Sequence, residues 1–333
     1  MTDHTITPSA DGVGSAAELM HGMSVQHLRF TVRPAEWLSF SEQPGAALRG
    51  ALYHALADHF CSESFCATSA DHLNTCPVCW LMALEDPIHQ RGRDVSRPLT
   101  IQPPEKQSYL QGEAMTFGVS LVGKARDLIP YIVRAVEWMG KQGVGKGRGR
   151  FRLQAVHETN PLWDAQRLLM DGQTVYTPTL AVNAVRIAEK AAELRTDRIT
   201  LHFLTPTRLT AEGKLVKSPD PAILIARLME RCQNLATYYG DSDTPITSDI
   251  WKAAAAQMVK CADGLHTAYH EVSWVEVFSG SKRQGRATPI SGFVGTIRWE
   301  GDVTPLREWL LWGQSLHIGK DAVKGNGWYR IVC

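Results

Sequence analysis

The segment HLRFTV (27–32) alternates apolar and polar positions with the two-residue period of a strand, and PGAALRGALYHALADHF (44–60) after it reads as a helix. A cysteine-bearing insertion follows. Strand-like RPLTIQ (97–102) and MTFGVSLVG (115–123) come next, then a helix over 124–139 whose Leu128, Ile129, Ile132, Val133 and Val136 fall at helical spacing, then a strand at 151–156. The order is β-α-β-β-α-β, that of a ferredoxin-like fold. The second half repeats it. A strand in RITLHFLTP (198–206) leads to a helix that opens after Ser218 and stops at Gly240, with a further helical stretch near SDIWKAAAAQMVKCADG. Strands in YHEVSWVEVFS and SGFVGTIRW, a helix in TPLREWLLWGQSL and a last strand in WYRIV complete it. The expected fold class is α+β, two tandem ferredoxin-like (RRM-like) β-α-β-β-α-β domains over 24–160 and 196–333. A linker with a helix (161–195) joins them, and residues 1–23 read as a loose, flexible polar tail.

The halves also end alike. GKQGVGKGRGRFRL (140–153) holds five glycines and five cations in fourteen residues. GKDAVKGNGWYRI (319–331) repeats its Gly-Lys, its Gly-x-Gly and its aromatic strand, with Asp321 to Lys324 as an insertion. A repeated loop at the same topological position suggests a duplicated domain. Gly140 and Gly145-Lys146 nearly spell a nucleotide P-loop, but Gly147 stands where a magnesium-binding hydroxyl is needed, and the loop joins helix to strand rather than strand to helix. No nucleotide cofactor is expected. Alternating glycines permit positive φ and present successive N–H groups to an anion, and Lys146, Arg148 and Arg150 add a cationic lip suited to an extended polyanion. The competing explanation for the glycines is close packing against a neighbouring domain.

Charge matters here through its distribution. The 333 residues carry a net charge of only +1, yet 138–157 holds five Lys/Arg and no acid, and 277–299 holds four and no acid. No apolar run approaches the ~18 residues of a membrane span, and the N-terminus lacks the basic start and apolar middle of a signal peptide, so a cytoplasmic location is expected.

Cys61, Cys66, Cys76 and Cys79 form C-x4-C-x9-C-x2-C inside an insertion spanning about residues 61–80. Four thiolates so closely spaced suit tetrahedral zinc, and a polar segment with little core of its own would take its fold from the metal. An iron–sulfur cluster is the alternative, His72 is an alternative ligand, and disulfides are disfavoured in a reducing compartment. A closed four-ligand site is structural rather than catalytic. Cys232, Cys261 and Cys333 are scattered and read as plain thiols.

Three segments, LHFLTPTRLTAEGKL, VFSGSKRQGRATPISGFVGTIRWEGD and LREWLLWGQSLHIGKDAVKGNGWYRI, carry a resemblance. The chain resembles the CRISPR-associated endoribonucleases that process precursor CRISPR RNA, members of the repeat-associated mysterious protein (RAMP) superfamily. PGAALRGALYHAL is similar to a helix opening common in that superfamily, and the ordered pieces cover roughly residues 25 to 332. The resemblance implies metal-independent cleavage within CRISPR repeat RNA, by attack of a 2′-hydroxyl on its own phosphodiester. The products are a 2′,3′-cyclic phosphate and a 5′-hydroxyl. A general base on or after the first helix is implied as well, and that region offers His54 first, then His59 and Tyr53.

The expected RNA contacts are Arg49, Lys146, Arg148, Arg150, Lys282, Arg283, Arg286, Lys320 and Lys324. His317 is a further candidate for the groove wall, His202 reads as a strand-face residue, and Trp299, Trp328 and Tyr329 read as core. The expected partners are repeat RNA or precursor crRNA and other CRISPR effector subunits, with no membrane. The alternative is a non-cleaving RNA-binding RAMP subunit of an effector complex. A zinc-dependent transcriptional regulator is a weaker third reading, since no helix-turn-helix is recognisable.

Overall fold

The computed structural model describes residues 15–63, 72, 75–83, 95–172, 174–242, 246–281 and 286–332. The first half contains β1 (Ser24–Pro34), α1 (Pro44–Phe60), α2 (Pro77–Ala83), β2 (Leu99–Gln102), β3 (Met115–Val122), α3 (Ile129–Gln142) and β4 (Phe151–Asn160). Its sheet runs β2-β3-β1-β4, with every neighbouring pair antiparallel. After β5 (Ala165–Asp171) and α4 (Ala184–Glu193), the second half contains β6 (Arg198–Thr207), α5 (Pro221–Tyr239), α6 (Ser248–Asp263), β7 (His266–Val275), β8 (Gly292–Glu300), α7 (Arg307–Leu316) and β9 (Tyr329–Val332). The sheet order is β7-β8-β6-β9, again antiparallel throughout. Both halves thus place their four strands in one order, second-third-first-fourth.

Alternation on the strands and helical spacing on the helices meet in two cores. In the first, Leu28, Phe30 and Val32 of β1 lie under Leu48, Leu52, Ala55 and Leu56 of α1 and under Ile132, Val133, Val136 and Met139 of α3. In the second, Leu201 and Phe203 of β6 and Phe293, Ile297 and Trp299 of β8 meet Leu224, Leu228 and Cys232 of α5. Helix α7 is buried from Trp309 through Leu316. Each such aliphatic or aromatic side chain contributes roughly 1.5–3 kcal/mol relative to exposure.

Two segments differ from the sequence expectation. The stretch read as a linker holds the expected helix, α4, but β5 pairs with β4, and Val182–Asn183 pairs with the start of β1, so it extends the first sheet. Within the segment read as a loose tail, residues 15–23 are ordered by a capping box. Ser15 Oγ accepts from Glu18 N (3.2 Å) and Ser15 N donates to Glu18 Oε2 (2.7 Å). Leu19, Met20 and Met23 are buried behind this turn. With Ala16, also buried, they join this segment to the second core.

The second glycine loop docks on the first half. A Cβ on Gly45, at the start of α1, would come within 2.1 Å of the Lys324 carbonyl oxygen, and one on Gly325 (φ +93°) within 2.8 Å of the Ile101 carbonyl oxygen. Glycine is required at both positions because the two backbones touch. At the other end of the interface, Trp80 of α2 packs against both cores and meets the Tyr239 ring edge-on, with centroids 5.2 Å apart.

Candidate functional site

The first glycine loop is a closed tongue. Helix α3 stops at Gly143 (φ +82°), whose N–H still bonds the Met139 carbonyl (2.8 Å), and Val144 N donates to Gly149 O (2.9 Å) to close the loop. Lys146 N donates to Ser39 O (2.7 Å), and Gly145 (φ +72°) lies so close that a Cβ would come 2.1 Å from that same oxygen. Pinned in this way, the tongue presents Lys146 and Arg148 to solvent. Arg148 itself takes φ +54°, a conformation that non-glycine residues adopt at a cost and that recurs at functional sites.

A cavity of about 710 Å³ separates this tongue from α1. One wall is Gly50, His54 and Asp58, at successive turns of a single face of α1; the other is Gln142, Gly143, Gly145, Lys146 and Arg148. Gln142 Nε2 donates to Asp58 Oδ2 across the gap at 3.5 Å. The groove therefore holds an imidazole, two cations, a carboxylate and an amide, a set able to take up a proton and to offset negative charge on a phosphate.

The structure separates the other candidates. His59 is stacked on the Trp138 ring of α3, with centroids 3.5 Å apart and 15° between planes. Tyr53 is half-buried, with the Arg49 guanidinium 5.2 Å over its ring. Neither His59, Tyr53 nor Arg49 lines the cavity. Arg150 points to Glu36 (3.1 Å), and its backbone and side-chain N–H groups hold that carboxyl below its usual range. On the second loop Lys320 is exposed, whereas Lys324 pairs with Asp321 at 2.8 Å. Arg286 opens a short strand, Arg286–Pro289, paired with Phe278–Ser281. Lys282 and Arg283 lie outside the described residues.

His317 does not line the groove. It is fully buried, stacked parallel to Trp328, and its Nδ1 donates to the Asn326 carbonyl at 3.2 Å. Burial pushes it down to about 3, so it is neutral, and its place at the end of α7 makes it part of the core. His202 bonds Thr296 Oγ1 on the sheet face (2.8 Å), and Trp299 and Tyr329 are core. Sequence reasoning did not single out Asp58 and Gln142. Their signals were present: Asp58 stands one turn after His54, and Gln142 immediately precedes the loop.

Where α1 ends, Cys61, His72, Cys76 and Cys79 bring one donor atom each to within 4.8 Å of one another. Cys61 Sγ lies 3.8 Å from Cys79 Sγ and 3.3 Å from His72 Nε2. Tetrahedral zinc with Zn–S ~2.3 Å and Zn–N ~2.0 Å requires separations of about 3.8 and 3.5 Å. The donor set fits. His72 turns its other nitrogen toward Glu63 Oε1 at 3.5 Å, the carboxylate support common behind metal-bound histidines. Burial, with the neighbouring thiols, pushes the Cys79 thiol up to about 12, a penalty on the thiolate that a bound cation would remove. His72 thus joins three of the four expected cysteines, and Cys66 lies outside the described residues.

Residues 201–329 match the family described as CRISPR-associated endoribonuclease Cas6, and residues 23–182 match the AF_1859_N family, described as an N-terminal domain. A comparison with curated protein sequences gives no match. Among solved structures, a Cas6 product complex is similar with TM-score 0.56 and 17% identity, over 93% of this chain and 99% of that one. Thermus thermophilus Cas6 is similar with TM-score 0.52 and 15% identity, also over 93% and 99%. A Cas6-RT-Cas1–Cas2 complex is similar with TM-score 0.58 and 13% identity, over 94% of this chain but 29% of that one. At these identities the structural likeness is one of fold. Among the described residues no helix is long and apolar enough to cross a membrane.

Proposed function

We propose that this chain belongs to the Cas6 family of CRISPR-associated endoribonucleases, which its residues 201–329 match, and that it cleaves precursor CRISPR RNA within its repeats and keeps hold of the mature crRNA. The observation that carries this reading is the groove in which His54 on α1 faces Lys146 and Arg148 on the glycine tongue. His54 takes the proton of the 2′-hydroxyl, O2′ bonds to phosphorus, and the P–O5′ bond breaks, leaving a 2′,3′-cyclic phosphate and a 5′-hydroxyl. Lys146 and Arg148 offset the charge that builds on the phosphorane, and the Lys146 ammonium can supply the proton the departing O5′ needs. Arg150, Lys320, Lys324, Lys282, Arg283 and Arg286 would extend the contact along the RNA backbone.

Zinc, held by Cys61, His72, Cys76 and Cys79, would fix the end of the same helix that carries His54. There it would supply folding energy, as a closed four-ligand site does, rather than an open position for the cleavage step.

Incubation with the cognate repeat RNA in EDTA, without magnesium, is expected to give a cyclic-phosphate product. His54→Ala should slow cleavage by about 10²- to 10⁴-fold with RNA affinity retained, while His59→Ala and Tyr53→Phe should cost far less. Cleavage only with magnesium would remove the mechanism. Tight binding without cleavage would favour the non-cleaving RAMP subunit instead.

A further inference from the structure

Beside the groove the fold leaves an apolar pair uncovered. The short strand Leu38–Ser39 pairs antiparallel with Ser108–Tyr109, with Leu38 opposite Tyr109. Trp37 and Leu110 are the next residues beyond that pair, one on each chain segment. Their own strand neighbours are buried, Leu38 at 0% and Tyr109 at 5%, yet Trp37 is 61% exposed and Leu110 69%. The buried tryptophans Trp251, Trp299, Trp309 and Trp312 fill the second core, so Trp37 stands apart from them.

The surroundings specify what would cover this pair. Arg33, exposed, donates to Gly112 O in the turn after Leu110 (2.6 Å). Of the acids nearby, Glu36 is engaged by Arg150 and Glu113 by Lys106. The platform is also continuous with the groove. A Cβ on Gly149 would lie 3.1 Å from the Trp37 carbonyl oxygen, Ser39 holds the Lys146 N–H, and Ser41 lines the cavity. From Trp37 to Ser41 the chain spans at most ~13 Å at ~3.3 Å per residue, within reach of the next nucleotides of a bound strand.

We propose that Trp37, backed by Leu110, is a stacking platform for an unpaired base of the RNA strand that enters or leaves the cleavage groove. A flat apolar face beside phosphate-gripping cations matches a nucleotide, whose base offers a π face while its phosphate stays with the arginines. The inference rests on the groove's being an RNA site and adds where the strand goes next.

The test uses the full-length protein and repeat RNA carrying 2-aminopurine at unpaired positions flanking the cleavage site. Binding to the wild type should quench the fluorescence at one such position. Trp37→Ala should abolish that quenching and raise Kd about 5- to 150-fold, with the single-turnover cleavage rate at saturating RNA unchanged; Trp37→Phe should retain most of both. Because the side chain is exposed, both variants should melt as the wild type does. Wild-type binding and cleavage with an unchanged Kd in Trp37→Ala would overturn the platform alone, and would leave the pair as a protein-docking surface. Failure of the wild type to bind repeat RNA would overturn the groove reading together with the platform.

Discussion

Two buried histidines make the stability of this protein acid-sensitive. His27 lies on β1 with Nδ1 2.7 Å from Ser120 Oγ, and His317 ends α7 with Nδ1 on the Asn326 carbonyl. Neither Nε2 has a hydrogen-bond partner, and burial pushes both rings down to about 3. The folded state therefore holds them neutral, while the unfolded chain protonates them near pH ~6.5. Their contribution is fully present above the unfolded value and is lost as pH falls through 6.5 toward 3, because the unfolded state then binds more protons.

The slope is about 1.4 kcal/mol per pH unit per histidine, so between pH 7 and 5 each costs about 2 kcal/mol and the pair about 4. Urea unfolding at both pH values measures the loss. His27→Asn and His317→Asn keep an amide N–H where Nδ1 stood and cannot titrate; at His317 the backbone (φ +59°, ψ 165°) is as unfavourable for asparagine as for histidine, so the swap leaves that strain in place. The double variant should be less stable at pH 7 but flatter with pH, losing about 4 kcal/mol less than the wild type on acidification. An acid loss of the same size in wild type and double variant would refute the reasoning, and would assign the sensitivity to carboxylates.

Two further outcomes can be checked. Stripping the metal, or Cys79→Ser, should lower the melting temperature by several degrees and loosen the Trp80–Tyr239 contact, read by thermal melts beside zinc analysis; a metal-free protein that melts unchanged would leave the cysteines without a structural role. Gly45→Ala should destabilise by about 1–3 kcal/mol through the Lys324 carbonyl, whereas Gly147→Ala meets no atom within 4 Å and costs only the strain of its positive φ. Equal costs in urea unfolding would mean that the second loop does not bear on α1.

Periodicity made most of the elements legible, because most strands and helices hide one face in a core that lies nearby; β7, with no buried residue, is an exception. Periodicity also put His54 first among the α1 candidates, one helical turn from Gly50, and both line the cavity. At about 100° per residue, Gly50, His54 and Asp58 drift only about 40° from one to the next. His59 stands seven residues after buried Leu52 and so returns to the flank of the core face, where Trp138 waits. The fourth metal donor was harder. Spacing favoured Cys66, and only the fold back from the end of α1 to α2 brings His72 beside Cys61.

The two glycine loops show the limit most clearly. Their sequences echo each other and they occupy the same position in each half, yet their neighbours differ. The first keeps Gly147 open and Lys146 and Arg148 exposed along the cavity. In the second, Gly325 abuts Ile101, the Lys324 carbonyl abuts Gly45, and a Cβ on Gly327 would strike the Ile318 carbonyl oxygen at 1.7 Å. Close packing therefore explains glycines in both loops, Gly145 against Ser39 in the first and Gly325 against Ile101 in the second; what sets the first apart is open Gly147 and two exposed cations beside the cavity. A local sequence fixes what a loop can do, but docking one half on the other decides which loop stays open. That choice is non-local, and it sets the groove on the first half beside His54 while the loop of the family-matched second half holds the start of the same helix in place.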